Sequence, residues 1–445
     1  MQPTGGSCMA SKSSAVVELT TREPRHWSDD RARIRLYSGA AVFIALVVLG
    51  AWAYRRYAVS PPTIGPIGLD FLPFWGASHF VLQGHALDAY NIDVMFRAQL
   101  AAEPWASQMG GVMPWLYPPV MMILLAPVAL LPFTYAYAVY AAVGFALYYA
   151  ALRRTAPWRD ARLAIVGFPG VLLVIVAGQI ALYTTALAGF SLALLRKRPV
   201  WAGVLAGLLF VKPHIAILFP LAFLCARAWR ALAACVATVV ATTVLAAVVF
   251  GPEVYPTFLH ATTFARQSIV DGTAQIARVP TIFVMMKMLG APLVVSAVVH
   301  GIVALGAVAV MIDFWRRPTA FALRAATLLC ATALVSPYLY DYDLAILALV
   351  VAWYVRDGLS RGWLRGEREW LVVLWLTPSF GLFGVLHIGF QFMPVIPLLT
   401  LAMLWRRRRC LAHVPDSADT SNARGARPAI LACHRPSGAP AYTRS

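Results

Sequence analysis

Residues 37–57 read YSGAAVFIALVVLGAWAYRRY, an apolar stretch long enough to cross a bilayer as one helix. Much of the chain that follows is equally apolar. Of 445 residues, 60% are hydrophobic and 13% are charged, whereas soluble domains carry about 25% charged residues. The chain is therefore an all-α polytopic membrane protein. Its length accommodates about 10–12 transmembrane or re-entrant helices. The net charge of +18 would suggest nucleic acid in a soluble protein. Here the basic residues flank apolar segments, which is the positive-inside pattern, and no basic groove interleaved with aromatics is visible. Nucleic acid is excluded as a partner.

Placing Arg-rich ends in the cytoplasm gives a topology. The polar stretch 1–36, with its arginines, is a cytoplasmic tail. Its length argues for an uncleaved anchor rather than a signal peptide at Ala51-Trp52-Ala53. The helix at 37–57 runs outward, although Arg55 and Arg56 at its outer end oppose the rule. Residues 58–117 form an external loop. Residues 118–132 are too short for a full crossing and predict a re-entrant or interfacial helix. Crossings follow at 134–152, 163–179 and 180–195.

Trp201 to Ala226 has basic residues at both ends and Lys212-Pro213-His214 in its middle. Two halves of about twelve residues cannot each cross, so a broken hairpin is expected. Later crossings fall at 231–250, 293–312, 319–335, 344–355, 369–388 and 390–405, with a second external loop at 251–292. The bundle spans 37–405, and 406–445 is a cytoplasmic tail rich in Pro, Ser and Arg. Both termini are inside a cell membrane. The six cysteines, Cys8, Cys225, Cys235, Cys330, Cys410 and Cys433, have no metal-ligand spacing, and neither a disulfide framework nor a zinc site is expected.

Chemistry-bearing residues are few and conspicuous. Asp70 stands in an aromatic, turn-rich loop just past the first helix, where an enzyme acting on lipid-borne substrates would keep a general base. No acid falls deep in an expected crossing. A proton-coupled carrier keeps one there, and no sequence repeat suggests an inverted-repeat transporter. A transporter or flippase of a lipid-linked or small polar substrate is the alternative class. Lys212, at depth in broken backbone, is costly without a partner.

The strongest constellation combines four pieces: Asp70-Phe-Leu-Pro-Phe74-Trp75-Gly-Ala77 with Gly84 and Tyr90; Trp115-Leu-Tyr117-Pro118-Pro119; Lys212-Pro213-His214; and Ser336-Pro337 leading into Tyr340-Asp341-Tyr342, with Gly178-Gln179 as a further match. Over residues 37–405 their order and spacing resemble glycosyltransferase family 87, the polyprenol-phosphate-mannose-dependent mannosyltransferase type. Phe74 stands where a Tyr is common in that family. The resemblance implies a GT-C-type bundle whose external loops carry the site. It also implies a hexosyltransferase, with mannose as the sugar, working on the outer face of the membrane. The donor would be a polyprenyl-phosphate sugar and the acceptor a hydroxyl of a glycolipid or glycan.

In such a reaction a single carboxylate, Asp70, takes the acceptor proton during an inverting displacement. A cation stabilises the departing phosphate; Lys212 is the first candidate, with Arg266 and Arg278 as substitutes. Tyr117 and His214 are placed with the lipid and phosphate. Trp75, Gln179, Asp341 and Asp343 are placed with the sugar or acceptor. No metal site, cofactor or protein partner is indicated; membrane lipid is. The plain alternatives are a solvated loop acid for Asp70, a snorkelling Lys212, a packing histidine for His214, a helix-entry turn at Tyr117-Pro118-Pro119, and interfacial turn acids for Asp341 and Asp343.

Overall fold

The computed structural model describes residues 31–109, 112–271 and 276–411. Among them the secondary structure is helical throughout, with no strand. Four helices are long and apolar enough to cross a membrane: Ala32–Ala58, Phe133–Thr155, Trp229–Phe250 and Leu293–Arg316. The other apolar helices are shorter, between 10 and 17 residues, and several are broken. Short, interrupted helices at membrane depth are viable only where protein covers their freed backbone groups. Here they pack in the interior, as the buried Phe168, Phe219 and Leu347 show.

The broken hairpin forms as expected. Helix Pro199–Leu208 tightens into a 3₁₀ turn, Leu209–Val211, and ends at Lys212. Proline at 213 cannot continue the backbone ladder and disfavours helical geometry at the residue before it; Lys212 has φ −132° and ψ 81°. Pro199–Leu208 and Trp229–Phe250 pack backbone to backbone. A Cβ at Gly203 would lie 2.1 Å from the Ala231 carbonyl oxygen, and one at Gly207 2.8 Å from that of Cys235. Numbers rise together along this contact, so the two helices run in the same direction. The intervening Pro213–Ala216 and Leu218–Cys225 helices carry the chain back.

The two long segments expected outside the membrane contain helices rather than open loops. Residues 58–117 contain helices Leu72–Leu82 and Ile92–Ala102, and residues 251–292 contain Val254–Val270 and Ile282–Met288. The first of these builds a lobe with its own core around Phe71, Phe74, Trp115 and Met122. Its aromatic side chains are largely packing. Arg56 explains the apparent breach of the charge rule at the first helix. Its guanidinium donates to both oxygens of Glu103, each at 3.0 Å, and Trp52 donates to the Gly65 carbonyl at 2.8 Å. These bonds tie an otherwise peripheral helix to the lobe.

At the end of the bundle away from Asp70, helix Val395–Leu411 runs beyond residue 405. Arg407 on it is fully buried. It donates to Asp357 at 2.6 Å and Glu367 at 2.5 Å. Tyr354 donates to Glu367 at 2.9 Å, and Arg361 donates to Asp357 at 2.6 Å. Removing one partner from such a network strands the others' charge. Arg407→Ala is expected to cost about 3–5 kcal/mol, read as a large fall in the thermal unfolding midpoint of the detergent-solubilised protein. A midpoint within a degree or two of wild type would show that the network does not hold these helices together.

Candidate active site

Asp70 is placed by a backbone contact. Gly68 (φ +83°) and Gly178 (φ +89°) both adopt the left-handed region open to glycine. The Gly68 N–H donates to the Val176 carbonyl at 3.0 Å, and a Cβ on Gly178 would lie 2.7 Å from Gly68 Cα. The next turn, Leu69–Phe71, sends Phe71 into the lobe core against Tyr140 (ring centroids 4.7 Å apart) and Tyr137 (5.4 Å). The Asp70 carboxylate meets Gln179, the neighbour of Gly178, whose Nε2 donates to Oδ2 at 3.2 Å. Tyr117 in turn donates to Gln179 Oε1 at 3.0 Å. Tyr90 fixes the segment holding Tyr117 by donating to its carbonyl at 2.9 Å.

Two cations converge on the same place. Arg278 donates to both oxygens of Asp341, at 3.1 and 3.2 Å, and its Nη1 lies 3.6 Å from Asp70 Oδ2. Lys212 Nζ donates to Asp343 Oδ1 at 2.6 Å, and His214 Nε2 lies 3.6 Å from Asp343 Oδ2. Between the two carboxylates, Tyr342 turns its ring to both cations: Lys212 Nζ is 4.7 Å and the Arg278 guanidinium 5.6 Å from its centroid. Tyr340 stacks on Tyr342 at 5.4 Å with an interplanar angle of 2°. Lys212, Asp341 and Asp343 are buried.

Burial pushes the Asp70 carboxyl above the usual aspartate range, against the opposing pull of Arg278 and the Gln179 hydrogen bond. Burial would raise Asp343 too, but Lys212 and His214 overcome it and hold that carboxyl below the usual range. Arg278, although burial opposes its charge, is kept protonated by Asp341 and Asp70. Neighbouring acids thus differ in character: Asp70 is the more basic, and Asp343 is a fixed counter-charge. Among the described residues Asp70 Oδ1 accepts no hydrogen bond, which leaves it available to take a proton. No cluster of metal-binding side chains occurs among the described residues.

Beside this cluster is an apolar cavity of about 730 Å³. It begins at Val211, next to Lys212, and passes Tyr140 and Tyr183. It then follows the Phe133–Thr155 helix by Val139 and Val143 to Leu147. Its outer wall residues Leu124, Leu131, Val139, Val143 and Leu147 are exposed on the bundle's flank. It therefore opens sideways, toward the side a bilayer would cover. Its size lies within the ordinary range for ligand sites.

The sequence model of glycosyltransferase family 87 matches residues 115–337, half of the chain. The protein is a member of glycosyltransferase family 87. No curated protein and no solved structure matches it. It is thus a membrane glycosyltransferase, with a sugar donor and an acceptor as substrates. The matched stretch holds Tyr117, Gln179, Lys212, His214 and Arg278; Asp70 precedes it and Asp341 and Asp343 follow it.

In the glycosyltransferase, most of the residues singled out along the chain come together: Asp70, Tyr117, Gln179, Lys212, His214, Arg278, Asp341 and Asp343 share one ionic and hydrogen-bonded cluster. Trp75 does not join it. Its indole donates to the Leu131 carbonyl at 3.0 Å and its ring stacks on His79 at 5.1 Å, because five helical positions after Asp70 it faces another side. The Arg266 side chain lies outside the described residues. Asp341 and Asp343, expected at the sugar, instead hold the two cations. Sequence reasoning placed Tyr340 and Tyr342 in the constellation but gave them no specific contact; the i, i+2 spacing of the two acids around an aromatic was the available signal. A Gly178→Ala substitution is expected to cost at least about 1 kcal/mol from positive φ alone. By pushing Gly68 away it should also abolish most transfer activity, measured alongside the unfolding midpoint; retained activity would mean the Gly68–Gly178 contact does not set Asp70.

Proposed function

We propose that this enzyme transfers a hexose, mannose by family resemblance, from a polyprenyl-phosphate sugar to a hydroxyl of a glycolipid or glycan on the outer face of the cell membrane. The observation that supports this reading is a sideways-opening apolar cavity lined by Val211 and Ile180, the chain neighbours of Lys212 and Gln179, together with the partly buried Asp70 carboxylate 3.6 Å from Arg278 and the Lys212–Asp343 pair. A lipid tail fits the cavity, and its phosphate would then reach Lys212 and Arg278. The orientation rests on the positive-inside distribution of Arg and Lys.

The chemistry follows from the placement. Asp70 Oδ2 is held by Gln179, while Oδ1 faces the acceptor hydroxyl. The acceptor oxygen attacks the anomeric carbon as Asp70 removes its proton, and the bond to the phosphate oxygen breaks on the opposite side, inverting the centre. Arg278 and Lys212 meet the charge that develops on the phosphate. Tyr117 orients Gln179 and through it Asp70. The Tyr340–Tyr342 stack offers an aromatic face to the sugar ring.

The test is transfer by purified protein from a panel of labelled polyprenyl-phosphate sugars. Asp70→Asn is expected to lower kcat by about 10²–10⁴-fold; full activity in that variant would remove Asp70 as the base. Asp70 must be ionised to act. Because its folded pKa is raised, the acid limb of kcat/KM should lie above the ordinary aspartate range, with activity lost as pH falls through it. Arg278 pulls that pKa down, so Arg278→Gln should move the limb to still higher pH. A limb that stays put or falls would show that the pair does not control the base.

A further inference from the structure

The two carboxylates of the Asp341-Tyr342-Asp343 turn have no assigned part in the reaction, yet they are engaged throughout the site. All four of their oxygens are engaged. Both oxygens of Asp341 accept from Arg278, and Oδ1 also accepts the Tyr342 N–H at 2.8 Å. Asp343 Oδ1 accepts from Lys212; its Oδ2 accepts the Tyr340 N–H at 3.3 Å and faces His214. Oxygens so occupied are poorly placed to bind sugar hydroxyls. Their bonds all go to the cations or to the turn's own backbone.

The reaction proposed above, on which this inference rests, changes the charge of two groups: Asp70 is neutralised and the phosphate gains a negative charge. The acceptor oxygen bonds to the anomeric carbon and its proton passes to Asp70. The anomeric carbon–oxygen bond breaks, and its electron pair stays on the phosphate, which goes from one negative charge to two. Two buried cations with no counter-charge would hold that dianion far more tightly than the donor, and its departure would leave both of them bare in an apolar setting. With Asp341 and Asp343 in contact, each cation regains a partner as the phosphate leaves.

We propose that Asp341 and Asp343 are positioning residues that set the grip of Arg278 and Lys212 on the lipid phosphate, so that it is stabilised as it forms and still released. They compete with the phosphate for the same N–H groups. The turn is built for this: one residue apart from Tyr342 on either side, the two acids draw cations from distant segments onto one aromatic ring.

The experiment measures binding of undecaprenyl phosphate to the purified full-length protein in detergent, with pre-steady-state transfer from an undecaprenyl-phosphate sugar. Asp343→Asn and Asp341→Asn each keep an oxygen for the backbone N–H. Each should bind undecaprenyl phosphate about tenfold more tightly or better. Each should keep its donor KM equal or lower and show a burst of one turnover followed by a reduced steady state. Lys212→Met added to Asp343→Asn should cancel the gain in affinity. If Asp343→Asn fails to fold, Asp341→Asn decides alone. Variants that bind the lipid phosphate no more tightly than wild type would overturn the proposal. So would a donor KM that rises as the single-turnover rate falls, the mark of a lost sugar contact. A wild type that does not bind undecaprenyl phosphate would overturn the donor assignment as well; binding by wild type without a gain in the variants overturns only this inference.

Discussion

A lysine ammonium enclosed among apolar helices needs a counter-charge within reach, and Asp343 supplies it at 2.6 Å from Lys212. Much of the site is arranged by that requirement. Lys212 sits where Pro213 interrupts the hairpin, so its position is set by the broken backbone. Asp343 lies in the turn Asp341–Ile346 that leads into helix Leu347–Arg361. Joining the two ties the hairpin to the later helices, and Asp341, two residues earlier, brings in Arg278 and through it Asp70. Solvation cost, more than any directed attraction, assembles the cluster: in a medium that cannot hydrate charge, ionic groups collect where others already are.

The same rule governs the opposite end of the bundle, with another outcome. Arg407, Asp357, Glu367 and Arg361 pair with one another, and the network joins three helices. At the Asp70 end, one carboxylate oxygen remains unpaired among the described residues, and an apolar cavity reaches Val211 and Ile180, the chain neighbours of Lys212 and Gln179. Similar residue types thus join helices at one end and surround Asp70 at the other.

Helix positions and the break at Lys212 were legible along the chain because hydrophobic length and proline act locally. Asp70 stood out because acids are scarce. The expectation that Lys212 needs a partner was correct, but the partner could not be named: Asp343 is 131 residues away, and spacing carries no signal over such a distance. Trp75 points away from the cluster for a local reason, since its direction depends on the helix Leu72–Leu82 rather than on its closeness to Asp70 in sequence. The folded lobe within residues 58–117 escaped notice because its core joins segments far apart in sequence. Gly178-Gln179 carried meaning only once Gly68 was seen against it. The glycine permits the contact, and the glutamine beside it then reaches the acid.

The sideways mouth of the cavity has a consequence for how the enzyme meets its substrate. A molecule that enters from the flank of the bundle arrives by diffusion in two dimensions, already concentrated in the film of lipid around the protein. What governs occupancy is then the fraction of the surrounding lipid or detergent that is substrate, and the volume of the tube hardly matters. Adding empty micelles at constant total substrate dilutes the film and slows such an enzyme. For a site open to water, the same addition would act only through the little substrate it withdraws from solution.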